Sequence, residues 1–373
     1  MRLLYLVSHP IQYQAPLLRI IAADPDIDLH VLFEHMDTAG AYFDRGFGTE
    51  VEWDVPLTEG YSHEHAASLS VVERRLDQAD VIWVHGWDSK FKLRSLEAAR
   101  RYGVPVLMRG ENTLAAMPDG NGLRGVLKRT YLRWIFYRCW AFLCIGSDNR
   151  DYYRAHGVDD ARLFDMPYAV DNTFFQTCTV DGGVLRQELG LAPDRPIILF
   201  AGKFQERKNP EALLDALHGF EAVRPYLLFV GDGERSEQLK SRAGERDDVM
   251  FLGFQNQRDL PSFYAMADVF VLPSEREPWG LAVNEAMASG TAVIATDQCG
   301  CAVDLINETC GRVVPAGDAV ALRKALHEIL GESGRAKSMG AAARERIVTW
   351  SFDEDVAGLH AALKSVASPP PQS

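Results

Sequence analysis

Short apolar runs alternate with longer stretches of helical periodicity, and midway along the chain the alternation breaks and starts again. In the first half Leu3–Val7, Leu29–Phe33, Val81–His85, Val104–Met108 and Ala141–Ile145 read as strands, with helices such as Ile11–Ala22, Lys90–Tyr102 and Asn149–His156 fitting between them. After MPYAVDNTFFQTCTVDGG (166–183) a second series follows: Ile197–Phe200, Tyr226–Val230, Val249–Leu252, Val269–Leu272, Ala292–Ala295 and Arg312–Val314. Continuous apolar strands joined through helices imply parallel sheets covered on both faces. Two such series predict two α/β domains, residues 1–170 and 171–350, with the boundary near 167–190. Helices around 334–348 and 353–366 close the chain, the second expected to pack back on the first domain. A disordered tail is expected over 367–373.

At 373 residues the chain exceeds the usual size of one domain. Its net charge of −13 argues against a general nucleic-acid binder. Cysteines 139, 144, 178, 299, 301 and 310 form no C-x-x-C pair, so free buried thiols in a reducing cytosol are expected. MRLLYLVSHP has too short an apolar core for a signal peptide and reads as a first strand. No run approaches the roughly 20 apolar residues of a spanning helix. A soluble, cytoplasmic protein is expected.

Chemistry concentrates where strands of the second series end. In LFAGKFQERKNP (199–210) Gly202 is followed by Lys203, Arg207 and Lys208, and Asn209–Pro210 opens a helix. A glycine turn lets backbone approach a phosphate, and lysines supply charge. FVGDGE (229–234) repeats the strand-to-glycine device at Gly231. EREPWGLAVNEAMASG (275–290) places Glu277 at a strand end and Glu285 inside the following helix, which Pro278 is expected to open and Gly290 to stop. Ligands of open α/β sheets bind on that edge.

Together these loops resemble the carboxyl-terminal domain of the retaining glycosyltransferases of family 4, which have the GT-B fold. Glu277 to Glu285 matches the E-x7-E motif with its E-P-[FW]-G core, and EAMASGTAVIATD continues in register. VGDGE, FLGF (251–254, with Gly253), YAMADVFVLPS (264–274) and YAVDNTFF (168–175) fall in order. Lys203 stands where the family has an arginine, and Lys208 matches its lysine. The first half matches mainly in layout, through SHPIQYQAPLLR (8–19), HGW (85–87) and RGEN (109–112). The resemblance implies an α/β fold of two Rossmann-like parallel-sheet domains facing each other across a cleft. It implies transfer of a sugar, hexosyl in type, from a nucleoside diphosphate sugar to a carbohydrate or lipid-linked glycan, with retention and without a metal or other cofactor. Donor contacts would come from Gly202, Lys203, Lys208, Gly231, Gly253, Glu277, Trp279, Gly280, Leu281 and Glu285. Glu277, Lys203, Lys208, His85 and Glu111 would carry catalysis, and His9, His85, Arg109 and Glu111 the acceptor side.

The chain departs from the family in lacking a glycine-rich loop after the first strand, in RGEN where a histidine is usual, and in Cys301 of QCGC (298–301). The DPDID stretch (24–28) precedes a strand and reads as a polar turn instead of a metal motif. A non-catalytic sugar-nucleotide-binding subunit, or a phosphorylase or epimerase on the same fold, are the alternatives. GLRGVLKRTYLRWIFYRCWAF (122–142) is basic and aromatic at helical spacing. Tyr131, Trp134 and Ile135 are expected on one buried stripe. The alternative is contact of 122–140 with an anionic membrane surface, placing the protein at the inner face of the membrane.

Overall fold

The computed structural model describes residues 1–120, 122–177, 181–220 and 224–367. Cys178 and the part of the expected tail from 368 lie outside them. The described strands are β1 (Arg2–Val7), β2 (Asp28–Phe33), β3 (Tyr42–Asp44), β4 (Thr49–Val51), β5 (Ser62–His65), β6 (Val81–His85), β7 (Val106–Arg109), β8 (Ala141–Cys144), β9 (Leu163–Asp165), β10 (Ile197–Ala201), β11 (Tyr226–Val230), β12 (Val249–Phe251), β13 (Val269–Leu272), β14 (Ala292–Thr296) and β15 (Gly311–Val314). The chain divides into two units: Met1–Ala41 with Pro56–Tyr168 and the segment from Phe352, and Tyr42–Val55 with Ala169–Ser351. Residues 42–55, inside the first expected domain by sequence, thus cluster with the second half.

The first unit holds a seven-stranded sheet in the order β5-β2-β1-β6-β7-β8-β9, every pairing parallel. The second holds a six-stranded parallel sheet, β12-β11-β10-β13-β14-β15. These are the two Rossmann-like sheets the alternation predicts. In each, strand order reverses at one seam, between β1 and β6 and between β10 and β13. Ligands of doubly wound sheets collect outside the strand ends at such seams.

Central strands are buried along their whole length, as in β10, β11 and β13, because helices cover both faces. The closing helix Phe352–Ala367 seats on the first unit because Gly358 has no Cβ, which would lie 1.7 Å from the Asp165 carbonyl oxygen. His360 Nε2 meets Asp24 at 2.7 Å, and the Trp140 indole donates to Ser365 Oγ at 3.1 Å. Asp24 lies in the polar turn before β2, as DPDID predicts, and accepts from the Asp26 amide at 2.9 Å.

Two helix expectations shift. Pro278 lies outside its helix, Leu281–Ala288, because Gly280 at φ 108° caps it. The helix expected at Ile11–Ala22 is Ala15–Ala23, with a proline in its first turn.

The helix Gly122–Phe136 corrects the stripe expectation. Leu132, Ile135 and Phe136 are its buried face, whereas Tyr131 is 45% and Trp134 50% exposed. The stripe is out of phase by one residue, since the partners inside are rings such as Trp87, 5.2 Å from Phe136. Leu123, Val126, Leu127 and Tyr137 are also exposed. The described cysteines are free and buried. Among the described residues no helix is long and apolar enough to cross a membrane.

Candidate active site

At the β10/β13 seam two cations converge on one carboxylate. Lys208 Nζ lies 2.7 Å and Arg207 Nη1 3.0 Å from the same oxygen, Oε2, of Glu277. Burial pushes the Glu277 carboxyl up, but Lys208 and Arg207 outweigh it and hold it below the usual carboxylate range. Its backbone is pinned to the loop after β14: the Glu277 amide donates to the Gln298 carbonyl, and the Gly300 amide to the Glu277 carbonyl, both at 3.0 Å. An open recess of about 670 Å³ beside this group is lined by Gln205, Glu206, Arg207, Glu234, Glu275 and Arg276.

The glycine loops are knit to one another. The Gly202 amide donates to the Val230 carbonyl at 2.9 Å, and the Gly231 amide to the Gly253 carbonyl at 2.8 Å. A Cβ on Gly231 would stand 2.0 Å from the Gly202 oxygen, so the crossing admits only glycine. Glu285, one turn into its helix, accepts from the Tyr264 hydroxyl at 2.7 Å. Burial raises its carboxyl from 4.5 to about 7, against the opposing pull of Tyr264 and Lys208.

Two expected donor residues have partners within the second unit. Trp279 is buried, donates to Asn284 Oδ1 at 3.0 Å and stacks on Trp350 at 5.4 Å. Lys203 stands away from Glu277 and donates to both oxygens of Asp44, at 2.9 and 3.0 Å. Arg207 takes the second cation position at Glu277. Its place beside Lys208 in sequence was the available signal, whereas neither Asp44 nor Tyr264 carries a local one.

In the first unit the β1/β6 seam gathers polar groups. His85 ends β6, with Nδ1 2.9 Å from the Tyr5 hydroxyl and Nε2 3.7 Å from Glu111 Oε1. The Tyr168 hydroxyl donates to the same Glu111 oxygen. Burial pushes the imidazole down, with Glu111 opposing, so it is neutral near pH 7. Burial raises the Glu111 carboxyl, but His85, Tyr168 and Arg109 outweigh it and keep it ionised. His9 follows β1, its Nδ1 2.9 Å from Ser8 Oγ. Arg109 is 2% exposed and holds the Asp355 carboxylate at 3.1 Å and the Met166 and Pro167 carbonyls at 3.0 and 3.3 Å. It ties the closing helix to the sheet through Asp355.

The strand-end loops of the second unit from Gly202 to Glu285 fall within a stretch that resembles known proteins. Residues 183–346 match the model for Glycosyl transferases group 1. The chain is 34% identical over 223 residues to a D-inositol 3-phosphate glycosyltransferase of Xylanimonas cellulosilytica, covering 57% of this chain and 54% of the relative. It is 32% identical over 200 residues to a GDP-mannose-dependent monoacylated alpha-(1-6)-phosphatidylinositol monomannoside mannosyltransferase of Corynebacterium glutamicum, covering 50% and 52%. The chain thus spans about half the length of the curated relatives it matches. The crystal structure of Anabaena HepE in complex with UDP-glucose superposes with a TM-score of 0.74 at 19% identity, covering 99% of this chain and 100% of that one. The fold class is that of the GT-B glycosyltransferases.

Proposed function

We propose that the protein is a retaining glycosyltransferase, hexosyl in type, that moves a sugar from a nucleoside diphosphate sugar to a carbohydrate or lipid-linked glycan. The observation that carries this reading is the convergence of Lys208 and Arg207 on Glu277 at the seam of a sheet within the family-matched stretch. Charge builds on the departing diphosphate, and fixed cations in a shielded site stabilise it without reorganising. Glu277 and Glu285 only accept when ionised, which suits sugar and ribose hydroxyls. Gly202, Gly231 and Gly253 bring backbone close to the donor, and the start of the Leu281–Ala288 helix faces its phosphates. His85 and Glu111, with His9, serve the acceptor. The reaction as proposed calls on no metal, so turnover persists in EDTA.

Support for a lipid-linked acceptor comes from the Gly122–Phe136 helix. Leu123, Val126, Leu127, Trp134 and Tyr137 are exposed beside Arg124 and Arg133, on a chain of net charge −13. An outward apolar face flanked by basic residues suits an anionic bilayer surface, and would hold the protein at the inner face of the membrane. Binding to vesicles should rise with anionic lipid and fall with salt. Wild type that ignores such vesicles at low salt refutes this contact.

The test of the activity is incubation with UDP-, GDP- and ADP-sugars and glycan or lipid-linked acceptors, with the product linkage read by NMR. Transfer with the donor's anomeric configuration, lost in Lys208→Ala, is expected. Inversion, or transfer undiminished in that variant, contradicts it.

A further inference from the structure

The hairpin β3–β4 comes from the first half of the sequence yet belongs to the second unit, where it packs against the loops that follow β10, β11 and β12. Its contacts are specific. Phe47 and Trp53 pack on Phe254 with ring centroids 4.9 and 5.8 Å apart, and Asn256 Nδ2 donates to the Glu52 carbonyl at 2.6 Å. Gly46 seats against Lys203, whose Cδ would lie 2.6 Å from a Cβ there. A Cβ on Gly233 would lie 2.9 Å from the Gly46 oxygen.

The hairpin delivers one charged group, Asp44, which is 8% exposed. Its Oδ1 accepts from the Gly46 and Phe47 amides at 2.7 and 3.1 Å, and its Oδ2 from the Tyr42 hydroxyl at 3.2 Å. Lys203 Nζ completes the set with both carboxylate oxygens and lies 4.8 Å from the Phe47 ring centroid. Burial raises this carboxyl, but Lys203 and the two amides outweigh burial, so it is ionised at neutral pH. Lys203 directly follows Gly202 at the end of β10, where a diphosphate would approach. The anion seat on that lysine is filled by the chain itself.

We propose that Asp44 is an internal competitor for the donor's diphosphate: the nucleotide must take Lys203 from it, so Asp44 sets donor affinity without touching the reacting atoms. This rests on the donor reading of the Glu277–Lys208 site. The competition has two parts, since Asp44 neutralises the ammonium and also repels the incoming anion.

Asp44→Asn keeps an oxygen for the two amides and removes the charge. UDP, GDP and ADP are titrated calorimetrically into wild type, Asp44→Asn, Lys203→Ala and the double variant. Asp44→Asn should bind the preferred diphosphate about tenfold more tightly than wild type, the order expected for removing one like charge beside an anion at a partly exposed site. The gain should vanish in the Lys203→Ala background. Equal or weaker binding by a variant that melts like wild type overturns the proposal, as does a gain that survives without Lys203. Asp44→Ser is read the same way should the asparagine variant melt early. If no diphosphate binds any form, the donor reading falls and this inference with it. If wild type binds, Lys208→Ala does not, and Asp44→Asn changes nothing, only the role of Asp44 is overturned.

Discussion

Glu285→Gln should make the protein more stable at about pH 8 while weakening its hold on a nucleotide. The Glu285 carboxyl is carried from 4.5 to about 7, chiefly because its surroundings disfavour the charged form. The folded state therefore keeps a proton that the unfolded chain has already released. Stability falls as pH rises from about 4.5 to about 7, and the whole penalty is present above that window. A displacement of that size corresponds to roughly 3 kcal/mol. The side chain is only partly shielded from water, so about 2 kcal/mol is the fair expectation. Glutamine has no proton to lose, and its oxygen can still accept from Tyr264. The second unit is of a size at which about 2 kcal/mol raises the melting temperature by roughly 4–8 °C. Calorimetric melts of wild type and variant at about pH 4 and pH 8 are the assay. The gain should appear at the higher pH and nearly disappear at the lower. A gain equal at both, or a loss at pH 8, would refute the reasoning that burial of an ionised Glu285 is a cost kept for function.

Lys208→Met should weaken nucleotide sugar binding by roughly 1.5–3 kcal/mol in titration, the size of one lost charge-assisted hydrogen bond, with Arg207 still holding Glu277. His85→Ala and Glu111→Gln should lower turnover much more than donor affinity, read as kcat against nucleotide Kd, because they lie at the first unit's seam. Arg109→Ala should destabilise by about 1–3 kcal/mol in denaturant unfolding, since the buried Met166 and Pro167 carbonyls lose their donor and Asp355, already raised to about 7 by burial, stays protonated. A stable Arg109→Ala protein would move that residue out of the structural role.

How far the sequence could be read depended on the range of the interaction concerned. Val269–Leu272 and Tyr226–Val230 are strands at those very residues, because both faces of a parallel sheet demand an unbroken apolar run. The polar edge strand Ser62–His65 has no such run and was not seen. Nor was the hairpin 42–51, whose partners lie far along the chain. Lys203 and Lys208 are both legible in the sequence as cations for a diphosphate, but the carboxylates they pair with are not. The carboxylate on Lys203, Asp44, is 159 residues away and leaves no local trace. The stacking of Trp279 on Trp350, far along the chain, likewise has no local signal in E-P-W-G. In the 122–136 helix Ile135 is buried as expected, but the rest of the buried stripe lies one residue further on. Leu132 and Phe136 bury themselves instead, and Tyr131 and Trp134 face outward.

On the proposed function, Glu277 and Lys208 bind a nucleoside diphosphate sugar. Differential melting against UDP-, GDP- and ADP-sugars tests it most directly, on wild type and on Glu277→Gln with Lys208→Ala. One donor class present at 100 times its Kd should stabilise wild type by about 2.7 kcal/mol and leave the double variant unmoved. No shift with any donor, or a shift of equal size in the double variant, would contradict it.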